Sequence, residues 1–543
     1  MTSMIIPLSG LANASNSVNN TNNNNNPTFL TSTNTPNQLA AGGPIPPNYT
    51  MAYNEEKCAQ GENNAPWYPT LLSYEHHDIN RTHLYACATF PGSFTDPNQV
   101  YAYQSPEWYN TPTMMVTRGV DDVYVYGGAS SNANPIPSGP FVAKVEPGSL
   151  KELWRTNLLN TNISGVWTGA GSIESIGGDI FAITNTYLFK LNGTTGKVEG
   201  VLSLPTGLSA PRDSYFNGMS GWSDGTLVMK NLARAPGCDI QGFFALINCP
   251  KLNETPPSAM VAVDSKTFKV LDWVQLEEMI GGRITATEYN GKEYTYLTGT
   301  SNLYRYEWDG KNLTMDNSWG PIPYLLPGQT SASACGIANE WVICMTNGGA
   351  PTETPLSVVA ISQANSSNIH RIEPIPLNPG QISYIPSKIA IDPVNSRIYA
   401  MDGGPGKTVA IDLDQKTGEM TLAWSAIQKT LSWFNLIGPT DQRVLVGTNI
   451  STSEPDPSKL EVGPIGANYM EQIQWRDAST GKLLAASDFF GPMVVGMQTW
   501  PGYGGLIYEG LSEGRIMALQ VLPQTVDSNE TSTSTSQNLT TPS

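Results

Sequence analysis

Asp402 closes an apolar stretch, Ile398-Tyr399-Ala400-Met401, and is followed at once by Gly403-Gly404-Pro405-Gly406-Lys407. Backbone N–H groups bared by glycines beside a carboxyl form a concavity suited to an anion, and the carboxyl itself can move a proton. Read structurally, the same residue closes an Asx turn. Asp392 and Asp316 stand in reserve for the carboxyl role. Arg212, in Ala210-Pro211-Arg212-Asp213, heads a loop of aromatics and glycines that reaches Gly225, and Arg283 follows Gly281-Gly282 at the start of a strand. Guanidinium groups present a fork of donors that matches oxyanions and stay charged at any pH; an arginine in a long loop can equally be a surface residue. Glu75-His76-His77-Asp78 is the single His-rich spot. It has no third ligand at metal spacing and reads as a solvated loop, while His83 and His370 form no motif. Trp108, Trp167, Trp222 and Trp500 lie beside Gly or Pro turns, where they either line a mouth or fill a core. No nucleophile elbow and no phosphate loop occurs.

Positioning these residues falls to a scaffold that reads as strand almost throughout. One pattern recurs: an alternating apolar strand, a turn rich in Gly, Asp, Asn or Lys, and a second strand. Copies start at Phe141, Leu188, Met260, Leu303, Val358, Val409 and Ile473, and a last single strand runs over 515–521. Another strand pair precedes many of them, giving four-stranded units at about 45–70 residues, the period of propeller blades. The expectation is an all-β propeller of eight blades, with seven as the fallback, in which strands from both chain ends complete one blade. The N-terminal contribution is expected from about 71–90. Three turns share a signature, Thr195-Gly196-Lys197, Thr417-Gly418-Glu419 and Thr480-Gly481-Lys482, where Gly supplies positive φ in a tight hairpin.

Of 543 residues only 14% are charged, and the net charge is −17. Such a chain repels nucleic-acid phosphates, and no apolar run is long enough to cross a bilayer as a helix. In strong acid the carboxylates are neutral and the 29 Lys and Arg with 4 His leave a modest positive load, a composition compatible both with an acidic exterior and with an uncharged surface at neutral pH. Asn-X-Ser/Thr sequons recur from Asn13 to Asn538, and 524–543 is a Ser/Thr-rich tail. Together with a short apolar patch at the start, a possible signal remnant, this suits a secreted glycoprotein. Residues 1–54 are rich in Asn and Pro and are expected to be disordered, leaving 55–523 as one propeller domain. Six cysteines suit disulfides; Cys335 and Cys344 face each other if Asn339-Glu340 forms a hairpin turn, and Cys238 and Cys249 flank a short loop. With no CxxC and no Cys/His cluster, neither zinc nor another metal is expected.

The three Thr-Gly turns and their flanking strands resemble repeats of quinoprotein (PQQ-type) propellers. Dehydrogenases of that superfamily carry adjacent cysteines beside the quinone, and no two cysteines are adjacent in this sequence. A low-charge propeller of this length without such cysteines resembles the tetrathionate hydrolase family of acidophilic sulfur oxidisers; the resemblance runs over 55–523 and includes GGRITATEYNGKEYTYLTGTSNLYRYEWDG at 281–310. It implies a secreted, dimeric enzyme that cleaves tetrathionate in acid to thiosulfate, sulfate and sulfur species, with an Asp as acid/base and no organic cofactor. Asp402 takes that role by local context, with Arg212 and Arg283 as clamps for a doubly charged sulfur substrate. For Asp402 to be a base in strong acid, its pKa must be depressed by nearby Arg or backbone donors. Two other readings remain open: a non-catalytic extracellular or cell-envelope binding propeller, and a PQQ-dependent dehydrogenase.

Overall fold

The computed structural model describes residues 70–522 except 110–111, 129–138, 160–166, 168, 170, 243–244, 386, 455–467 and 494–498. The two expected terminal segments and Cys58 lie outside the described residues. Eight antiparallel sheets follow one another along the chain. In chain order, their innermost strands are Met114–Gly119, Ser172–Ile176, Ser214–Gly221, Thr285–Tyr289, Cys335–Ala338, Ala390–Asp392, Asn435–Ile437 and Trp500–Pro501, which begin blades 1 to 8. Each of the seven recurring hairpins supplies the third and fourth strands of a blade. The eighth is assembled from both ends: Gln99–Gln104 lies antiparallel to Ile516–Leu522, with Gln99 opposite Leu522 and Gln104 opposite Met517.

Burial follows position in the blade. Strands such as Asp179–Thr184 and Val358–Ser362 are buried along almost their whole length, whereas the outer strands Val198–Ser203 and Met420–Ile427 keep one face exposed. This is why the third strands read as apolar runs and the fourth as alternation. It also corrects the expected closing strand. Gln-Val-Tyr-Ala-Tyr-Gln at 99–104 has a face to leave in water, while 71–90 contributes no outer strand to blade 8.

The Thr-Gly turns hold the blades together. Gly196, Gly418 and Gly481 donate to the carbonyls of Asn192, Asp414 and Asp477 at 2.8, 2.7 and 2.8 Å and have φ of 71°, 80° and 76°. Each sits on a tryptophan of the preceding blade: Trp154, Trp341 and Trp424. Two of these rings also donate across the blade boundary, Trp341 Nε1 to Gln415 O at 3.0 Å and Trp424 Nε1 to Ala478 O at 3.1 Å. A Cβ on Gly418 would stand 2.2 Å from the Trp341 ring. Gly418→Ala is therefore expected to cost about 1–3 kcal/mol through strain and overpacking, read as a fall in melting temperature; an unchanged midpoint would refute the wedge. Disulfides Cys238–Cys249 and Cys335–Cys344 form as expected, the second between directly paired strand residues.

Residues 70–85 run around the ring's centre and touch every blade. Thr70 bonds Tyr503 of blade 8. The carbonyls of Leu72 and Ser73 accept from Thr117 and Ser175 of blades 1 and 2 at 2.6 and 2.8 Å. Tyr74 Oη donates to Met219 O of blade 3 at 2.9 Å, and Arg81 Nε donates to Ile284 O beside blade 4. The carbonyls of Asn80, Thr82 and His83 accept from Ile337, Ile391 and Leu436 of blades 5, 6 and 7 at 2.8, 2.8 and 2.9 Å. Leu84–Tyr85 then pairs in parallel with Leu436 and Ile437. This axial strap is buried nearly throughout, and Gly336 makes room for it, since a Cβ there would lie 3.1 Å from Arg81 O.

Candidate functional site

Antiparallel order fixes which loops share a face. The connection into each innermost strand and the turn between its second and third strands lie at one end of the ring; the Thr-Gly turns lie at the other. Arg212, Arg283 and Lys388 each precede an innermost strand by two residues (Ser214, Thr285 and Ala390), and Asp402 ends a second strand, so all four belong to the same end. The turns that identify the fold are on the opposite end from the residues with chemistry.

The strap brings charge into the axis. Glu75, His76, Asp78, Arg81 and His83 are buried, which overturns the reading of Glu75-His76-His77-Asp78 as a solvated loop. Glu75 Oε1 meets Arg283 Nη2 at 2.7 Å, and its Oε2 meets Arg81 Nη1 at 3.5 Å and His76 Nε2 at 3.1 Å. Lys388 Nζ lies 2.9 Å from His76 Nε2 and 3.7 Å from the Trp433 ring centre, on which His76 also stacks. His76 Nδ1 faces His83 Nε2 at 2.7 Å, and His83 Nδ1 donates to Phe434 O at 3.0 Å. Lys230 Nζ donates to Ile280 O at 2.6 Å. Gly218 admits this packing; its Cβ would stand 3.1 Å from Arg283 and 3.2 Å from Glu75.

Four cations (Arg81, Lys230, Arg283 and Lys388) are thus buried together, and among the described residues Glu75 is the carboxylate paired with two of them. Burial holds the pKa values of Lys230 and Lys388 well below normal, and Arg283 and Arg81 push both further down. Burial likewise takes His83 down to about 3, with Lys388 and Arg81 adding to it. Whenever these lysines are protonated, the interior holds more cations than anions and favours negative charge. Three residues of the strap, His77, Arg81 and His83, have φ of 73°, 54° and 61°, strain of the kind that packing sustains at functional sites.

The three sequence candidates are not brought together. Arg283 stands in the cationic cluster. Arg212 is 56% exposed at its side chain and lies 3.8 and 3.9 Å from Asp213 and Asp239. Asp402 is fully buried; its Oδ1 accepts from Tyr384 N and Gly404 N, both at 3.0 Å, and its Oδ2 has no partner. The bond to Gly404 is an Asx turn, and Gly403 N is taken by Tyr384 O. No cation acts on Asp402, and burial raises its pKa to about 6, so the depressed value expected for a base in acid is not found. Among the reserves, Asp392 pairs with Arg443 at 3.0 Å and Asp316 with Arg305 at 2.5 Å, both as structural ion pairs. Trp167, Trp222 and Trp500 are fully buried, and Trp108 is exposed.

No protein-family model matches the chain, and no curated protein matches it. Solved structures do. Quinohemoprotein alcohol dehydrogenase from Comamonas testosteroni superposes with a TM-score of 0.54 at 11% identity, over 88% of this chain and 84% of that one. The likeness is one of fold. A europium-containing methanol dehydrogenase gives 0.49 at 9% identity over 81% and 88%, and BamB from Moraxella catarrhalis 0.38 at 11% over 77% and 97%. In architecture this chain is an eight-bladed β-propeller, a fold it shares with the first of these structures. The two described disulfides do not join adjacent cysteines, and the strap runs through the axis, with His76 stacked on Trp433 and Lys388 over it. Among the described residues no group of three or more His, Cys, Asp or Glu could hold a metal ion, and no helix is long and apolar enough to cross a membrane.

Proposed function

We propose that the protein hydrolyses a small, doubly charged sulfur anion, tetrathionate or a related polythionate, in acid. The observation that carries this reading is the buried surplus of cations at the axis. Tetrathionate bears a sulfonate at each end of a two-sulfur bridge, so it needs donors at both ends. Arg283 meets Glu75 Oε1, Arg81 meets its Oε2, and Lys388 is reached through His76. Acid favours the charged forms of Lys230 and Lys388, whose pKa values are lowered, and so favours capture of the dianion. Arg212, at the same end but exposed, would draw the substrate in rather than clamp it.

The carboxyl role first falls to Asp402, which is protonated in acid and would therefore give a proton instead of taking one. Incubation with tetrathionate at about pH 2 to 4, following thiosulfate and sulfate, tests the reaction. Asp402→Asn tests the residue: a loss of about 100-fold or more in turnover is the size expected for a proton donor, and wild-type turnover in the folded variant removes Asp402. Absence of turnover in the wild type would leave the binding-platform reading in its place.

A further inference from the structure

Glu174 is a buried carboxyl that acts electrostatically on the strap. It lies on Ser172–Ile176, the innermost strand of blade 2, is fully buried, and neither carboxyl oxygen has a hydrogen-bond partner. Strand alternation puts it on the same side as Ile176, which belongs to the core cluster that includes Tyr74 of the strap and Met219 and Trp222 of blade 3. Its electrostatic neighbours are Glu75, Arg81 and Tyr74 from the strap and Arg283 from blade 4. Burial and the charge of Glu75 raise its pKa well above normal, against the opposing pull of Arg81 and Arg283. An unpartnered buried carboxyl is costly unless it is neutral and put to use.

Two buried carboxyls therefore act on each other's charge in opposite settings: Glu75 in ion pairs with two arginines, Glu174 with none among the described residues. Pairs of acids whose surroundings split their protonation are how sites divide base from acid. We infer that Glu174 is the proton donor and Glu75 the proton acceptor in cleavage of the sulfur–sulfur bond. Water oxygen bonds to one bridge sulfur and gives a proton to Glu75. The central S–S bond breaks, and its electron pair stays on the departing thiosulfate sulfur, which takes the proton of Glu174. One tetrathionate and one water become HS–SO3⁻ and ⁻O3S–S–OH, balanced in atoms and charge. The second product rearranges to hydrogensulfate and elemental sulfur with no further reactant. Proton exchange between Glu75 and Glu174 through water resets the pair.

The inference rests on the hydrolase reading but not on Asp402; Asp402 and Glu174 are alternatives for the donor. Glu174→Gln is expected to lower kcat at least about 100-fold with KM changed only a few-fold, and to abolish the fall in rate that the wild type shows as pH rises through the titration of this acid. Glu174→Asp should recover part of the rate. A folded Glu174→Gln variant with wild-type kcat and pH profile overturns the inference, while a wild type inactive on tetrathionate overturns the hydrolase reading instead. Infrared difference spectra of the wild-type protein on adding thiosulfate supply a readout independent of turnover. A shift in the carbonyl band of a protonated carboxyl, displaced in Glu174→Asp, supports the assignment; an unchanged band refutes it even if Glu174→Gln does not fold.

Discussion

Lowering the pH from about 7 to about 4 should raise the melting temperature. Burial raises the pKa of Asp78 and Asp402 to about 6 and that of Glu471 to about 7. It takes Glu174 and Glu509 well above the normal value, with Glu75 and Glu471 adding to the effect on each. A carboxyl whose folded pKa is raised binds its proton more tightly in the folded state. Its contribution is complete below the unfolded pKa and is lost as pH climbs through the folded one. His77, taken down to about 4 by burial, and His83, down to about 3, work the other way, losing stability as pH falls from about 6.5. Glu293, raised to about 7 by burial, joins these five carboxyls; Lys230 and Lys388, held well below normal, side with the imidazoles, and the six carboxyls leave the advantage with acid. Below about 4 the curve turns down, because turn aspartates such as Asp414 and Asp477, lowered by hydrogen bonds that outweigh their desolvation, become protonated. Glu471 and Glu509, on neighbouring blades and facing each other electrostatically, give the sharpest test. Glu471→Gln is expected to raise the melting temperature at pH 7, because burial holds the pKa of Glu471 above normal, and to change it little near pH 4. A melting temperature that is flat or lower in acid would contradict this.

The second large effect concerns the strap. Excision of 70–85 should abolish cooperative folding, because the innermost strands of six blades and Ile284 beside that of blade 4 lose a bond to it, Arg283 loses Glu75 and Lys388 loses His76. A milder version is Arg81→Ala, which removes bonds to Ile284 O, Met219 O and Glu75; breaking one partner of a buried pair typically costs about 3–5 kcal/mol. Thermal melts followed by circular dichroism read both. A sharp, wild-type transition after excision would show that the ring closes without its axis.

Much of the architecture was legible because blades repeat a local pattern. The hairpins from Phe141 to Ile473, the Thr-Gly turns and the Cys335–Cys344 pairing each follow from alternation and turn chemistry over a dozen residues or fewer. The strap was not, because nothing local marks Glu75-His76-His77-Asp78 as interior. Glu75 and His76 are satisfied by Arg283 and Lys388, more than two hundred positions away, and a composition typical of solvent becomes a composition typical of a core only when those partners arrive. Part of the site did leave a trace. Arg283 and Lys388 occupy the same slot, two residues ahead of an innermost strand, and comparing that slot between blades would have paired them. Arg212 fills it too, yet faces out, which shows that the slot gives the end of the ring but not the direction of the side chain.

An early stretch of chain that must touch the first blade and the seventh cannot finish its work until the last of them has been synthesised. Wedges 1 to 7 therefore wait, during translation, for a buckle made long before they were. Once it is fastened, no wedge can swing out alone, because each is tied to a cord that also grips its neighbours. Digestive enzymes that depend on brief local opening would find little to cut in such a ring, and the molecule should survive in a hostile medium for as long as the whole assembly does.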